Sequence, residues 1–385
     1  MFRGHNKCKE IVVSSQRTGS PSGEFYRYLK GSFNLSLVIK FNDDGAKGVI
    51  RFPKPGHTAT HLRDEKTTIP VLRVSSWGLT VDSPQRLGPF IIMDFVEGTT
   101  LTTLLKQPTE TEQDEVILAT DVDDEKLDYV YEQLADYMLQ LSRLNFPKIG
   151  ALAKDPTANK WIVSERPLTY NMNELVTVVS KYSTSGWPTA PFASARHFLA
   201  SLADEHLVHL EAQRNLANSP SDAKRRFVAR QNFKKLPTNM LADPKTLRIT
   251  AVLDWEFTNA MPAQFAYDPP WWLLLLGPDM WLENYLMEKF MVRYEPRLEQ
   301  FLRALERVEA RATQDGDSNG SLLSARMRES WKTKRFWFDY GIRKGFEVTG
   351  EERLDDELSE QMEKLVIRKM DQLKAYDAEC KARFS

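Results

Sequence analysis

The run Leu253-Asp254-Trp255-Glu256 follows directly on an apolar, partly β-branched stretch from Ile249 to Leu253. A carboxylate at the end of a buried strand is held rigidly at the margin of any cleft that the strand borders. Hard divalent cations take oxygen donors in near-octahedral geometry, so Asp254 suits the magnesium of a nucleoside triphosphate. An aspartate that caps the next turn fits the same spacing. Upstream, Pro237-Thr238-Asn239 offers an amide oxygen as a second metal ligand, the use that kinase catalytic loops make of an asparagine; a plain turn is the alternative. Gly31-Ser32-Phe33-Asn34 opens a hairpin, and small residues there let backbone amides approach phosphate oxygens. Arg51, in the following strand, could bind phosphate through its guanidinium or stand as an exposed sheet charge. Where the chain leaves the last strand of the N-terminal region, backbone groups could pair with adenine, with Met93 or Phe95 framing the ring. The six histidines show no catalytic pairing, and His206 and His209 fit a helix surface.

The elements that must position these residues are legible in outline. Leu35–Phe41 and Gly48–Phe52 are apolar and β-branched, and Asn42-Asp43-Asp44-Gly45 between them is a strong turn signal, so they form an antiparallel hairpin. Thr68–Leu72 and Phe90–Phe95 are further strands, and Leu247–Leu253 is a short β element. Lys126–Leu144 places Leu127, Val130, Tyr131, Leu134, Tyr137, Met138 and Leu141 at i, i+3, i+4 spacings, an amphipathic helix. Phe192–Leu216 and Ser221–Leu236 also read as helical, whereas Thr109–Glu125 is acidic and reads as a solvated insertion. The expected organisation is α+β: a loose leader over 1–23, a β-rich lobe over 24–98, and a helical lobe over 99–385 with a β insert that carries the metal-site residues.

Composition narrows the function classes. Fifty-two basic against fifty-three acidic side chains leave a formal charge of −1, so no overall pull toward nucleic acid or an anionic membrane follows. Cys8 and Cys380 lie near opposite ends without a CxxC or Cys/His cluster, which argues against a disulfide framework or structural zinc and for a reducing compartment. The first residues lack the apolar core of a signal peptide, and Trp271–Leu276 is too short to span a bilayer. A cytoplasmic protein is expected.

Together the strings GSFNLSLVIKF, VIRFPKPG, TTIPV, LGPFIIMDFVEGTTL, RRFVAR and LRITAVLDWEFTNAMPAQFAYDPPWWLLL resemble the aminoglycoside phosphotransferase family, in particular a fungal branch of it. They cover residues 24–282, roughly. The resemblance implies a protein-kinase-like fold, ATP and Mg2+ as cofactors, and a small-molecule hydroxyl as phosphate acceptor. It also makes Asp254 the magnesium ligand, Asn239 its partner and Asp268 a buttress of the helical lobe. The nucleotide would meet Ser32, Phe33, Asn34, Arg51, Met93 and Phe95.

Two departures from the family pattern bear on activity. The family's His/Cys-x-Asp-x-x-P-x-Asn loop puts an aspartate five residues before the asparagine, where this chain has Lys234, and RRFVARQNFKKL runs into Pro237 with no strand between. Only fourteen residues, with two prolines, a glycine and few apolar side chains, separate Phe52 from Thr67, too few for the helix whose glutamate braces the phosphate-binding cation. Losing a general base costs ~10²–10⁴ in rate. No catalytic residue is therefore assigned, and a pseudokinase that binds nucleotide or protein is the alternative to an active transferase.

Overall fold

A computed structural model describes residues 5–18, 22–30, 34–53, 72–109, 116–155, 157–158, 160–169, 172, 176, 183–215, 217–220, 223, 240–252, 259–278, 280–281, 285–314, 322–344 and 356–384. The chain divides into two compact units, Met1–Lys106 with Pro237–Phe257, and Gln107–Leu236 with Thr258–Ser385. The class is α+β, with the larger sheet near the N-terminus and a mainly helical remainder.

The first unit is built on five antiparallel strands: β1 (Gly23–Lys30), β2 (Asn34–Phe41), β3 (Lys47–Pro53), β4 (Val74–Gly78) and β5 (Phe90–Asp94), in the spatial order β1-β2-β3-β5-β4. The predicted Asn42–Gly45 turn joins β2 to β3. Gly45 takes a φ of 73° and Asp44 Oδ1 accepts from the Ala46 amide at 2.8 Å. Strand alternation sends Leu37, Ile39, Phe41, Ile50, Phe52, Phe90 and Ile92 to one face, and Val38, Val49, Ile91 and Met93 to the other.

Helix α1 (His5–Gln16) covers the first of these faces, burying Cys8, Val12 and Val13. This corrects the expected loose leader over 1–23. Its mean polarity hid three apolar positions at i, i+4 and i+5, enough for one contact line. Gln16 Nε2 then donates to Ser75 Oγ (3.0 Å) and Asp94 Oδ1 (3.2 Å), tying the helix to β4 and β5. Arg17 pairs with Asp44 at 2.8 Å and lies over the Phe41 ring. Gly48 is required beneath α1: an added Cβ would meet Val12 Cγ1 and Phe41 Cζ at 2.9 Å and Gln16 closer still.

A second, three-stranded sheet of β6 (Thr99–Thr100), β9 (Met240–Ala242) and β10 (Ile249–Val252), in the order β10-β9-β6, also belongs to the first unit. Asp243 closes the β9–β10 turn by accepting from the Lys245 and Thr246 amides, both at 2.9 Å. The β element expected around 247–253 is thus present, but it groups with the N-terminal sheet region rather than with the helical unit. Helix α2 (Leu101–Leu105) follows β6. Of the expected strand at 68–72, only Leu72 lies within the described residues; β4 follows it, unforeseen because Val74-Ser75-Ser76-Trp77-Gly78 is only weakly apolar.

In the second unit, helix α3 (Asp124–Ser142) begins at Asp123, whose Oδ1 accepts from the Lys126 amide at 2.8 Å. It buries Leu127, Val130, Tyr131, Leu134 and Leu139 as its periodicity predicts, while Leu141 is exposed. It packs along α5 (Met287–Gln314), with Arg297, Arg307 and Arg311 paired to Asp124, Asp128 and Glu132 at 2.5 Å each. Ile117 and Leu118 are buried, and the Leu118 amide donates to Leu274 O, so the acidic 109–125 stretch is pinned at that point rather than solvated throughout. The remaining elements are the hairpin β7 (Ala151–Asp155) and β8 (Lys160–Glu165), α4 (Ala195–Ala212), α6 (Leu323–Lys332), α7 (Arg335–Lys344) and α8 (Asp356–Phe384). The 221–236 helix expected from sequence lies outside the described residues except at Ala223.

Candidate functional site

On the face of the large sheet opposite α1, β3 presents Lys47, Val49 and Arg51 at alternate positions, which spans about 13 Å along the strand. Across the ladder, Arg51 pairs in register with Ser36 on β2 and Ile91 on β5, and Val49 with Val38 and Met93. The floor is therefore apolar in the middle and cationic at each end. Asn34 and Ser36, both buried, sit at the Arg51 end, where β1 and β2 are joined through residues 31–33. Of the expected phosphate-loop residues, Asn34 is described and lies at the Arg51 end; Ser32 and Phe33 lie outside the described residues. Two strands with a short connection and an in-register cation on the next strand give phosphate oxygens a charge to meet.

At the other end Met93 is buried and Phe95 packs against the same apolar cluster. The Phe95 amide donates to Lys47 O at 3.2 Å, which fixes the exit of the chain from β5. Lys47, which the sequence reading missed, forms an ion pair with Glu97 and lies over the rings of Tyr26 (4.7 Å) and Phe95 (5.6 Å). That ammonium holds the Glu97 carboxyl below the usual carboxylate range. Its signal was available, since Lys47 stands two and four residues before the alternating Val49 and Arg51. A 330 Å³ pocket adjoins this end, bordered by Gln16, Arg17, Phe41, Lys47, Phe95 and Glu97.

The expected metal ligands Asn239 and Asp254, and Lys234, lie outside the described residues. The hairpin that leads to them is described: Met240 and Val252 are paired, so the chain enters β9 and leaves β10 at the same end. An amide and a carboxylate oxygen form a donor set suited to a hard cation such as magnesium. Among the described residues, no three His, Cys, Asp or Glu side chains converge as a metal site.

In the helical unit, His206 and His209 are buried on α4, not on its surface as expected. His209 Nε2 is 2.6 Å from Gln213 Oε1. Glu205 beside them is 8% exposed, and burial pushes its carboxyl up to about 7 despite a hydrogen bond from Thr169 and the nearby Arg166 charge. Its place on the buried stripe is readable, three residues after Leu202 and seven after Phe198. Asp268 accepts from Ser330 Oγ at 2.6 Å, and Arg335 Nε lies 3.9 Å away, so it joins its own segment to α6 and α7. Tyr294 Oη donates to Pro270 O at 2.9 Å and pins the same segment.

No helix among the described residues is long and apolar enough to cross a membrane. No family model and no curated protein matches the sequence. Among solved structures, an ethanolamine kinase of Plasmodium vivax aligns with 97% of this chain and 89% of its own at 12% identity, with a TM-score of 0.34.

Proposed function

We propose that the protein is an aminoglycoside phosphotransferase-like, kinase-like protein that binds magnesium-ATP in its first unit, by descent a transferase of phosphate to a small-molecule hydroxyl. The observation that carries this reading is Arg51, in register with Ser36 on the strand after the β1–β2 connection, with Val38, Val49, Ile91 and Met93 beside it on one face. Kinases place their phosphate-binding lysine on the third strand of such a sheet, under a loop that covers the phosphates. In this reading the phosphates meet Ser32, Phe33, Asn34 and Arg51, and the base lies toward Met93 and Phe95. In this reading magnesium is held by Asn239, the residue before Met240 in the sequence, and Asp254, two after Val252; Met240 and Val252 are themselves paired. The metal, when bound, would neutralise charge developing on the transferred phosphoryl group.

Lys234 favours binding without efficient turnover. An ammonium cannot accept the acceptor hydroxyl's proton at neutral pH, and it repels the metal. Positioning without a base leaves a scaffold that holds nucleotide, the pseudokinase form of the same reading. Thermal shift with magnesium-ATP, followed by an ADP-release assay, tests both parts. A rise in midpoint with background ADP release fits; an unchanged midpoint at millimolar nucleotide contradicts nucleotide binding, and rapid ADP release contradicts the weak-turnover part.

A further inference from the structure

Strand β1 forms one edge of the large sheet, and no described strand pairs with its outer side. Its residues after Gly23 are all exposed, among them Phe25, Tyr26, Tyr28 and Leu29. Natural sheets guard such an edge by keeping it short or by placing proline in it, yet β1 is eight residues long and has no proline. Its one irregularity is a bulge at Tyr26, and that bulge sets which way each residue faces. Gly23, Phe25, Tyr28 and Lys30 stand opposite Phe41, Ile39, Leu37 and Leu35 of β2, on the face that α1 covers. Glu24, Arg27 and Leu29 stand opposite Lys40, Val38 and Ser36, on the other face. Tyr26 lies there too, its ring 4.7 Å from the Lys47 ammonium and 5.6 Å from the Arg27 guanidinium. The order of faces is therefore the same from either end of the strand, with its midpoint between Tyr26 and Arg27.

We propose that β1 is the pairing edge of a symmetric dimer, running antiparallel to the β1 of a second copy. The register is Gly23–Lys30, Glu24–Leu29, Phe25–Tyr28 and Tyr26–Arg27, each pair made twice about the two-fold axis. An axis normal to the sheet keeps the α1 face of both copies on one side, so paired residues must share a face, and this register satisfies that at every position. A foreign strand would have no use for such a palindrome; a second copy requires it. The register also sets no like charges opposite each other. Shifted by one residue it would bring Arg27 against Arg27 and pair Phe25 with a Leu29 from the opposite face. In the matched register the Phe25 and Tyr28 rings, 4.7 Å apart within one chain, meet their counterparts as a group of four, and each Arg27 faces a Tyr26 ring. Main-chain hydrogen bonds supply most of the affinity, as in other strand additions. The four exposed apolar side chains add roughly 300 Å², taking a fully exposed aromatic at 150–250 Å². That falls short of the ~800 Å² per partner of a standard interface, so the dimer is weak and forms with rising concentration.

Sedimentation velocity of the full chain over a series of concentrations tests this. The wild type is expected to shift from monomer toward dimer as concentration rises. F25E/Y28E and F25K/Y28K each set like charges against one another in the paired positions, and each is expected to weaken self-association at least ~tenfold. An equal mixture of the two variants is expected to regain the dimer, because every Glu then meets a Lys. Both substituted side chains are exposed, so an unchanged thermal midpoint is the folding control, and recovery on mixing is an effect that a folding defect would not produce. A wild type that stays monomeric at every concentration overturns the inference. So does a dimer that the like-charged variants keep, or one that mixing them fails to restore.

Discussion

Arg51 carries the nucleotide reading because of where the register leaves it, opposite Ser36 and Ile91 and two positions from Val49. A charge-assisted hydrogen bond to phosphate contributes about 1.5–3 kcal/mol. Arg51→Ala is therefore expected to weaken magnesium-ATP binding by at least ~tenfold in equilibrium dialysis, and Arg51→Lys by less. Glu205 makes a prediction about pH. Burial holds its carboxyl at about 7, above the ordinary 4.5, so the native state holds the proton more tightly than the unfolded one. Stability from this group is full below the unfolded value, falls as pH rises through the window to about 7, and is flat above it. Glu205→Gln should remove that slope, raising stability near pH 8 by up to ~3 kcal/mol with little gain near pH 5, as read by urea unfolding. The strand that carries Arg51 was readable, because the Asn42–Gly45 turn marked the hairpin it belongs to. Residue placement was misread at His206 and His209, because helical spacing alone does not say which stripe of α4 is covered.

At the scale of elements, α1 is the main departure from the sequence reading. Leu37, Ile39, Phe41, Ile50 and Ile92 form an apolar face that a sheet cannot leave in water, and α1 covers it with Cys8, Val12 and Val13. The helix was hidden because only three of its residues need to be apolar, while Gln16 and Arg17 fasten its end by polar contacts. Val12→Ala should cost ~2 kcal/mol, two methylenes from a fully buried site, seen as a shifted urea midpoint without a changed slope. Gly48→Ala should cost ~1–3 kcal/mol, since Val12, Gln16 and Phe41 already fill the space of its Cβ. The β2–β3 hairpin, by contrast, was legible: Asn42–Gly45 supplied the turn and the apolar, β-branched runs on either side supplied the strands. The site elements were readable to the extent that they are local. The grouping of β9 and β10 with Thr99 and Thr100 was not, because pairing across some 140 residues leaves no periodic trace in the sequence.

Across the whole molecule, the two units rest on cores of different kinds. The first unit is a sheet with one helix on it, and it holds every described residue proposed to meet nucleotide. The second rests on the α3–α5 pair and an aromatic cluster of Phe290, Tyr294, Trp331, Phe336 and Tyr340. A ligand that binds only the folded chain stabilises it by about 2.7 kcal/mol at a hundredfold excess over its dissociation constant. Under the proposed function, the first unit binds magnesium-ATP through Arg51 and the Asp254–Asn239 pair. The most direct measurement is titration calorimetry of the full chain with ATP, with and without magnesium, alongside R51A and D254A. Magnesium-dependent binding to the wild type is expected, at least ~tenfold weaker in R51A and no longer magnesium-dependent in D254A. No heat at millimolar ATP, or binding that both variants retain unchanged, would contradict it.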